Sequence, residues 1–257
     1  MKKLTVTVML IGMFVMVVTF AFTTTVTAQR VLKDWVVMTY YGPNNWNVPG
    51  PLPVTPIRGN GVSFDFYDTP DRAMLIAEIE SYKQFQQGKL IGKTLSADIA
   101  IEATPDATFN YWDDYTGGPA PGGFVRLYFN KVNTPGCPTG WHPERPDCEA
   151  QYWWSNPVYI DLADLAALGS KGIKLEVPLD PALWSDRDGH MGTNPDTFTV
   201  TVDGITTTFN HTDAFYAAVA NMKRIGLSFG GAGWWAFGCG VDEPSTATFK
   251  LYNFVAK

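Results

Sequence analysis

Arg126 stands between two aromatic residues in Phe124-Val125-Arg126-Leu127-Tyr128-Phe129. On a strand this spacing places Phe124, Arg126 and Tyr128 on one face and Val125, Leu127 and Phe129 on the other. The second face is wholly apolar and is expected to meet the core. The first offers a guanidinium between two rings, which suits the hydroxyls or carboxylate of a polyhydroxylated ligand. The same arrangement also serves as cation–π filling on a solvent-facing sheet. Further aromatics cluster in Tyr40-Tyr41 with Trp46, Tyr111-Trp112 with Tyr115, Tyr152-Trp153-Trp154, and Trp234-Trp235. Neighbouring strand residues point to opposite faces, so one ring of each pair is expected to leave the core unless another layer covers it. A flat indole stacks well on the C–H face of a sugar. The expected ligand surface is therefore Arg126, Tyr128, Tyr152, Trp154, Trp234 and Trp235, acting without catalysis. The competing account is that these large amphipathic rings cap the open ends of the fold.

Other chemistry is weaker. Glu78 and Glu80 lie two apart on an expected strand and form the only acidic pair at glycosidase-like spacing. They define the enzymatic alternative; a third reading is a structural cell-envelope or protein-interaction domain whose aromatics serve a protein interface. Gly226-Leu227-Ser228-Phe229-Gly230 matches a nucleophile-elbow pattern, but that motif needs a strand, a sharp turn and a helix, with the catalytic histidine later in the chain. His142, His190 and His211 all precede Ser228, so Ser228 is expected to be a polar strand residue. No histidine spacing resembles a zinc motif. Asp186-Arg187-Asp188-Gly189 has the short acidic form of a calcium loop, making Asp186 and Asp188 candidate ligands for that cofactor. Cys137 and Cys148 bracket a Pro/Gly-rich loop and are expected to form a disulfide, worth about 3 kcal/mol in the chain-entropy model. Cys239 is left over as a small buried residue.

The elements that must position these groups are mostly strands. Period-two alternation runs through 95–103, 173–179, 225–229 and 247–251. The run at 198–202 leads through Asp203-Gly204 into 205–209, a strong hairpin signal. Further strands are expected over 35–40, 62–67 and 73–82. Helical pattern is confined to 161–168 and to 212–222, the second with Thr212 or Asp213 as N-cap. No helix regularly separates the strands, which argues for an all-β antiparallel β-sandwich of jelly-roll type with one or two short helices. The strand at 124–129 and the segment at 152–154 are expected to pair as a hairpin with a long loop.

Lys2 and Lys3, an apolar run over 4–22 and Val26-Thr27-Ala28 make residues 1–28 an expected signal peptide, cleaved before Gln29. Residues 29–257 would then form one secreted, periplasmic or cell-surface domain. Without the leader the chain carries 17 Lys and Arg against 25 Asp and Glu, a net charge of −8. That acidity argues against nucleic acid as a partner. The mature form is expected not to be membrane-embedded.

Three stretches, 152–157, 175–185 and 224–231, resemble a group of exported bacterial proteins of unknown function, many of which end in a PEP-CTERM sorting tail. The segment 246–254 is similar to the last strand of galactose-binding-like jelly rolls, the fold of many carbohydrate-binding modules. The resemblance implies a jelly roll and a carbohydrate ligand. It supplies no catalytic residues, and the C-terminal segment here carries no such sorting tail.

Overall fold

The computed structural model describes residues 35–40, 52–59, 61–67, 75–81, 90–113, 116, 118–131, 152–202, 205–231 and 238–257. The expected signal segment, the Cys137–Cys148 pair, His142, and Trp234 with Trp235 lie outside these residues.

Two antiparallel sheets face each other. The central strands of the larger are β5 (Leu75–Ser81), β9 (Phe124–Lys131), β10 (Tyr152–Ser155), β13 (Trp184–Ser185) and β16 (Met222–Gly230). Their order is β13-β10-β9-β16-β5, and β1 (Trp35–Tyr40) also pairs with β5. The short strands β2 (Leu52–Pro53), β7 (Phe109–Asp113), β8 (Gly118–Pro121), β11 (Ile160–Asp161) and β17 (Cys239–Val241) complete this sheet. The smaller sheet runs in the order β12 (Ile173–Pro178), β6 (Thr94–Ala103), β18 (Ala247–Ala256), β4 (Val62–Asp65) and β3 (Thr55–Pro56). The chain passes repeatedly between the layers, from β4 to β5, from β5 to β6, and through β12 on to β13. The sheets are thus interleaved in sequence instead of forming two independent meanders.

Alternation in the sequence explains which face each strand buries. Val125, Leu127 and Phe129 of β9, Ile225, Leu227 and Phe229 of β16, and Ile79 of β5 all point into the space between the sheets. They meet Ile99 and Ile101 of β6, Leu175 and Val177 of β12, and Phe249 and Leu251 of β18. Ring contacts fix the spacing of the layers: Phe229 meets Phe249 at 5.0 Å and 87°, and Phe64 at 5.6 Å and 85°. Such edge-to-face pairs add stability beyond the area that they bury. Each fully buried side chain of this size contributes about 1.5–3 kcal/mol.

At the β9-β10-β13 end a helix packs on the same face. Helix α2 (His211–Ala220) buries Ala214, Phe215, Ala218 and Val219. Phe215 packs against Trp153 at 5.1 Å and Phe129 at 5.8 Å. Its N-cap is Asn210, whose Oδ1 accepts from the Asp213 N–H at 2.7 Å. The helix therefore starts earlier than the expected Thr212 or Asp213 cap, because Asn210 is the residue with extended backbone. The shorter helix α1 (Leu162–Leu168) falls in the expected 161–168 segment, and Asp161 caps it. Strands β14 (Thr197–Val202) and β15 (Ile205–Asn210) form the expected hairpin, with Val202 opposite Ile205. No helix among the described residues is long and apolar enough to cross a membrane.

Candidate functional site

The second face of the larger sheet gathers most of the residues that the sequence singles out. Strand β9 pairs with β10 so that Tyr128 stands opposite Trp154. It pairs with β16 so that Arg126 stands opposite Ser228 and Tyr128 opposite Gly226. On the far side of β16, Ser228 faces Glu78 and Gly226 faces Glu80. Two adjacent register rows therefore cross the sheet. One holds Glu78, Ser228 and Arg126, and the other holds Glu80, Gly226, Tyr128 and Trp154, extended to Ser185 on β13. The long-loop hairpin expected between 124–129 and 152–154 is present.

This face is not the open aromatic surface that the sequence suggests. Tyr128 is 0% exposed, Arg126 3% and Trp154 4%. Tyr128 and Trp154 form a second buried cluster, separate from the main core, with Tyr152 packed against it. The three rings make a ladder: Tyr128 and Trp154 lie 6.4 Å apart at 27°, and Trp154 and Tyr152 lie 6.0 Å apart at 14°. The indole Nε1 of Trp154 donates to Ser228 Oγ at 3.0 Å, so the would-be nucleophile is a buried acceptor on a strand. Strand alternation assigns the face correctly but carries no information on whether that face is covered. Only Tyr152 of the ladder retains partial exposure.

Arg126 is the anomaly on this face. Its Nη2 donates to the Gly231 carbonyl at 2.7 Å, and its guanidinium lies 5.5 Å from the centre of the exposed Tyr159 ring. Its Nη1 is buried with no hydrogen-bond partner among the described residues. Burial pulls the guanidinium pKa down to about 10, against smaller upward pulls from Tyr159 and Cys239. Among the described residues no carboxylate forms an ion pair with it. Cys239 is free and fully buried, as expected, and burial pushes its thiol pKa far up.

A second group lies just beyond β13. Asp186 is 2% exposed and opens a tight loop that ends at His190. The Asp186 N–H donates to the His190 carbonyl at 2.9 Å. Its Oδ1 accepts from the N–H groups of Asp188 at 3.0 Å and His190 at 2.9 Å. Its Oδ2 is left facing two imidazoles, His211 Nδ1 at 3.1 Å and His190 Nδ1 at 3.6 Å. The His211 contact is close by distance, yet its buried Nδ1 has no hydrogen-bond partner among the described residues. Potential ligand atoms of Asp186, His190 and His211 all lie within 4.8 Å of one another. Asp188, the other expected calcium candidate, is not part of this group: its backbone N–H meets Asp186 Oδ1, and the remaining donors of the group are nitrogens, which calcium disfavours.

No histidine cluster is visible in the sequence, and the fold makes one by bringing His211 to the loop that carries Asp186 and His190. The hairpin explains it. Because Thr197 pairs with Asn210, closing β14 on β15 returns the chain beside the 190s. Thr212 Oγ1 then ties the helix start to the Gly192 carbonyl at 2.7 Å. Glu78 and Glu80 sit at the register positions given above. The chain matches no protein-family model, no curated protein and no solved structure.

Proposed function

We propose that this protein is an extracellular, non-catalytic saccharide binder whose site includes Arg126 on the second face of the larger sheet. The observation that supports this is the buried, half-satisfied guanidinium. A charge taken out of water is costly unless it is paired, by several kcal/mol. A β-sandwich core has no need of one, and an apolar residue at this position would pack without that cost. To meet a ligand the 3%-exposed side chain must turn outward past Tyr159; its Nη1 is then a donor that a sugar carboxylate or a pair of vicinal hydroxyls would satisfy, in the planar fork geometry that arginine favours.

The rings then take different roles from those their sequence suggests. Tyr152, the half-buried end of the ladder, is the stacking platform. Trp154 stacks beside it and holds it in place, with Tyr128 stacked on Trp154 in turn. Tyr159, exposed and under the cation–π contact, marks the other side of the arginine. The signal-like first 28 residues and the resemblance to exported proteins support an extracellular setting, and the acidic composition makes nucleic acid a poor partner.

Calorimetric titration of the purified protein with neutral and uronate-containing oligosaccharides tests this reading. Binding is expected for at least one class and should fall more than tenfold in Arg126→Met and in Tyr152→Ala, with both variants keeping the native circular dichroism. Binding that Arg126→Met leaves unchanged, or no saccharide binding at all, removes the proposal. Hydrolysis that Glu78→Gln or Glu80→Gln abolishes would replace it with the enzymatic alternative.

A further inference from the structure

The geometry points to a site for one divalent first-row transition-metal ion, of the zinc class, held by Asp186, His190 and His211. Three features carry it. The first is donor chemistry. One carboxylate and two imidazoles are the ligand set that such ions prefer, and calcium and magnesium do not.

The second is spacing. With ligand bonds of about 2.0–2.1 Å, two ligands of a tetrahedral ion lie about 3.3 Å apart. The carboxylate oxygen of Asp186 already stands 3.1 Å from His211 Nδ1 and 3.6 Å from His190 Nδ1. Two edges of the coordination polyhedron thus exist in place, and His190, whose side chain is 46% exposed, has room to adjust the third.

The third is the state of the buried nitrogen. The His211 side chain is 8% exposed and its Nδ1 lacks a hydrogen bond although a carboxylate lies beside it. A buried nitrogen that lies 3.1 Å from a carboxylate oxygen without a hydrogen bond is suited to share a cation with that oxygen. The carboxylate is prepared in the same sense: both backbone N–H bonds fall on Oδ1, which fixes the rotamer and leaves Oδ2 toward the imidazoles. Metal sites are commonly oriented by such outer contacts. The loop is in turn anchored by the Ser185–Met191 bridge and by Thr212. Three protein ligands leave at least one coordination position for water or an external donor.

Titration of the purified full-length chain with Co2+, read by visible absorption, and displacement by Zn2+ against a chromophoric chelator test the assignment. One ion per chain is expected, with Ca2+ unable to compete at equal concentration. His190→Ala should weaken binding more than tenfold while keeping the native circular dichroism, because its ring is half exposed. Asp186→Asn should do the same, and His142→Ala should change nothing. Absence of Co2+ and Zn2+ binding overturns the proposal, as does binding unchanged in folded His190→Ala or displacement of Zn2+ by equimolar Ca2+. If Asp186→Asn fails to fold, His190→Ala alone decides, since its loss or retention of the ion is read on a folded chain.

Discussion

Replacing Trp154 by alanine separates a supporting ring from a ligand-contacting one. The side chain is 4% exposed, stacks between Tyr128 and Tyr152, and gives its indole proton to a serine that is itself 1% exposed. Truncating a buried tryptophan costs about 3–5 kcal/mol. Part of that is the orphaned Ser228 hydroxyl, which by itself costs about 1–3 kcal/mol once its partner is gone. A domain stable by about 5–15 kcal/mol loses a large fraction of its margin. Urea unfolding at 25 °C, followed by far-ultraviolet circular dichroism, reads the change as a lower midpoint at unchanged slope. A cycle of Trp154→Phe, Ser228→Ala and the double variant isolates the hydrogen bond. Each single change leaves one buried polar group unpaired or lost, whereas the double removes both, so its cost should fall below the sum by about 0.5–1.5 kcal/mol. A Trp154→Ala protein within about 0.5 kcal/mol of the parent, the range of ordinary surface substitutions, would show that the ring is not buried and would refute the reasoning.

Cys239 should resist thiol reagents in the native protein and react only on unfolding, since burial raises its pKa far above the working range and thiolate is the reactive form; fast native labelling would contradict this. Asn210→Ala should lower stability by about 1 kcal/mol, measured by denaturant titration, through loss of the helix cap. Gly172→Ala should destabilise by more than about 1 kcal/mol, because φ is +57° and the new Cβ would stand 2.2 Å from the Ile99 carbonyl oxygen; unchanged stability would mean that the backbone there is relaxed.

Much of the fold is legible in the sequence because half-buried strands write their burial into alternate residues. Ile173 to Pro178 shows it plainly: Leu175 and Val177 are buried, and Lys174 and Glu176 are exposed. The Asp203-Gly204 turn signal places β14 against β15 correctly. The faces of β9 are also legible, since Val125, Leu127 and Phe129 do enter the core. The cover on the opposite face is not. Alternation distinguishes two faces, but Arg126 and Tyr128 look alike in sequence whether water or protein lies over them. The Asp186 cluster escapes for a different reason. Metal motifs are recognised by short spacing, whereas His211 is brought in by a hairpin. The signal for that hairpin is present in the sequence, and following it to its ends at Thr197 and Asn210 places His211 beside the loop that carries Asp186 and His190.

The two candidate sites lie at one edge of the sheet, and their contacts give a route by which they could be coupled. Ser185, next to Asp186, pairs with Trp154 in the row that also holds Tyr128. Arg187, inside the Asp186–His190 loop, places its guanidinium 5.9 Å from the centre of the Tyr152 ring. An ion that fixes the loop would also fix the guanidinium that lies over the half-buried Tyr152 ring. If both proposals hold, saccharide and metal must change each other's affinity by the same factor, because linkage is reciprocal. Saccharide titrations with and without Zn2+, and Zn2+ titrations with and without saccharide, measure that factor twice. Arg187→Ala should bring it toward unity while leaving Zn2+ affinity in place, since Arg187 supplies no ligand atom to the cluster. Equal affinities with and without the partner in the parent protein would show that the loop and the ladder, though adjacent, do not communicate.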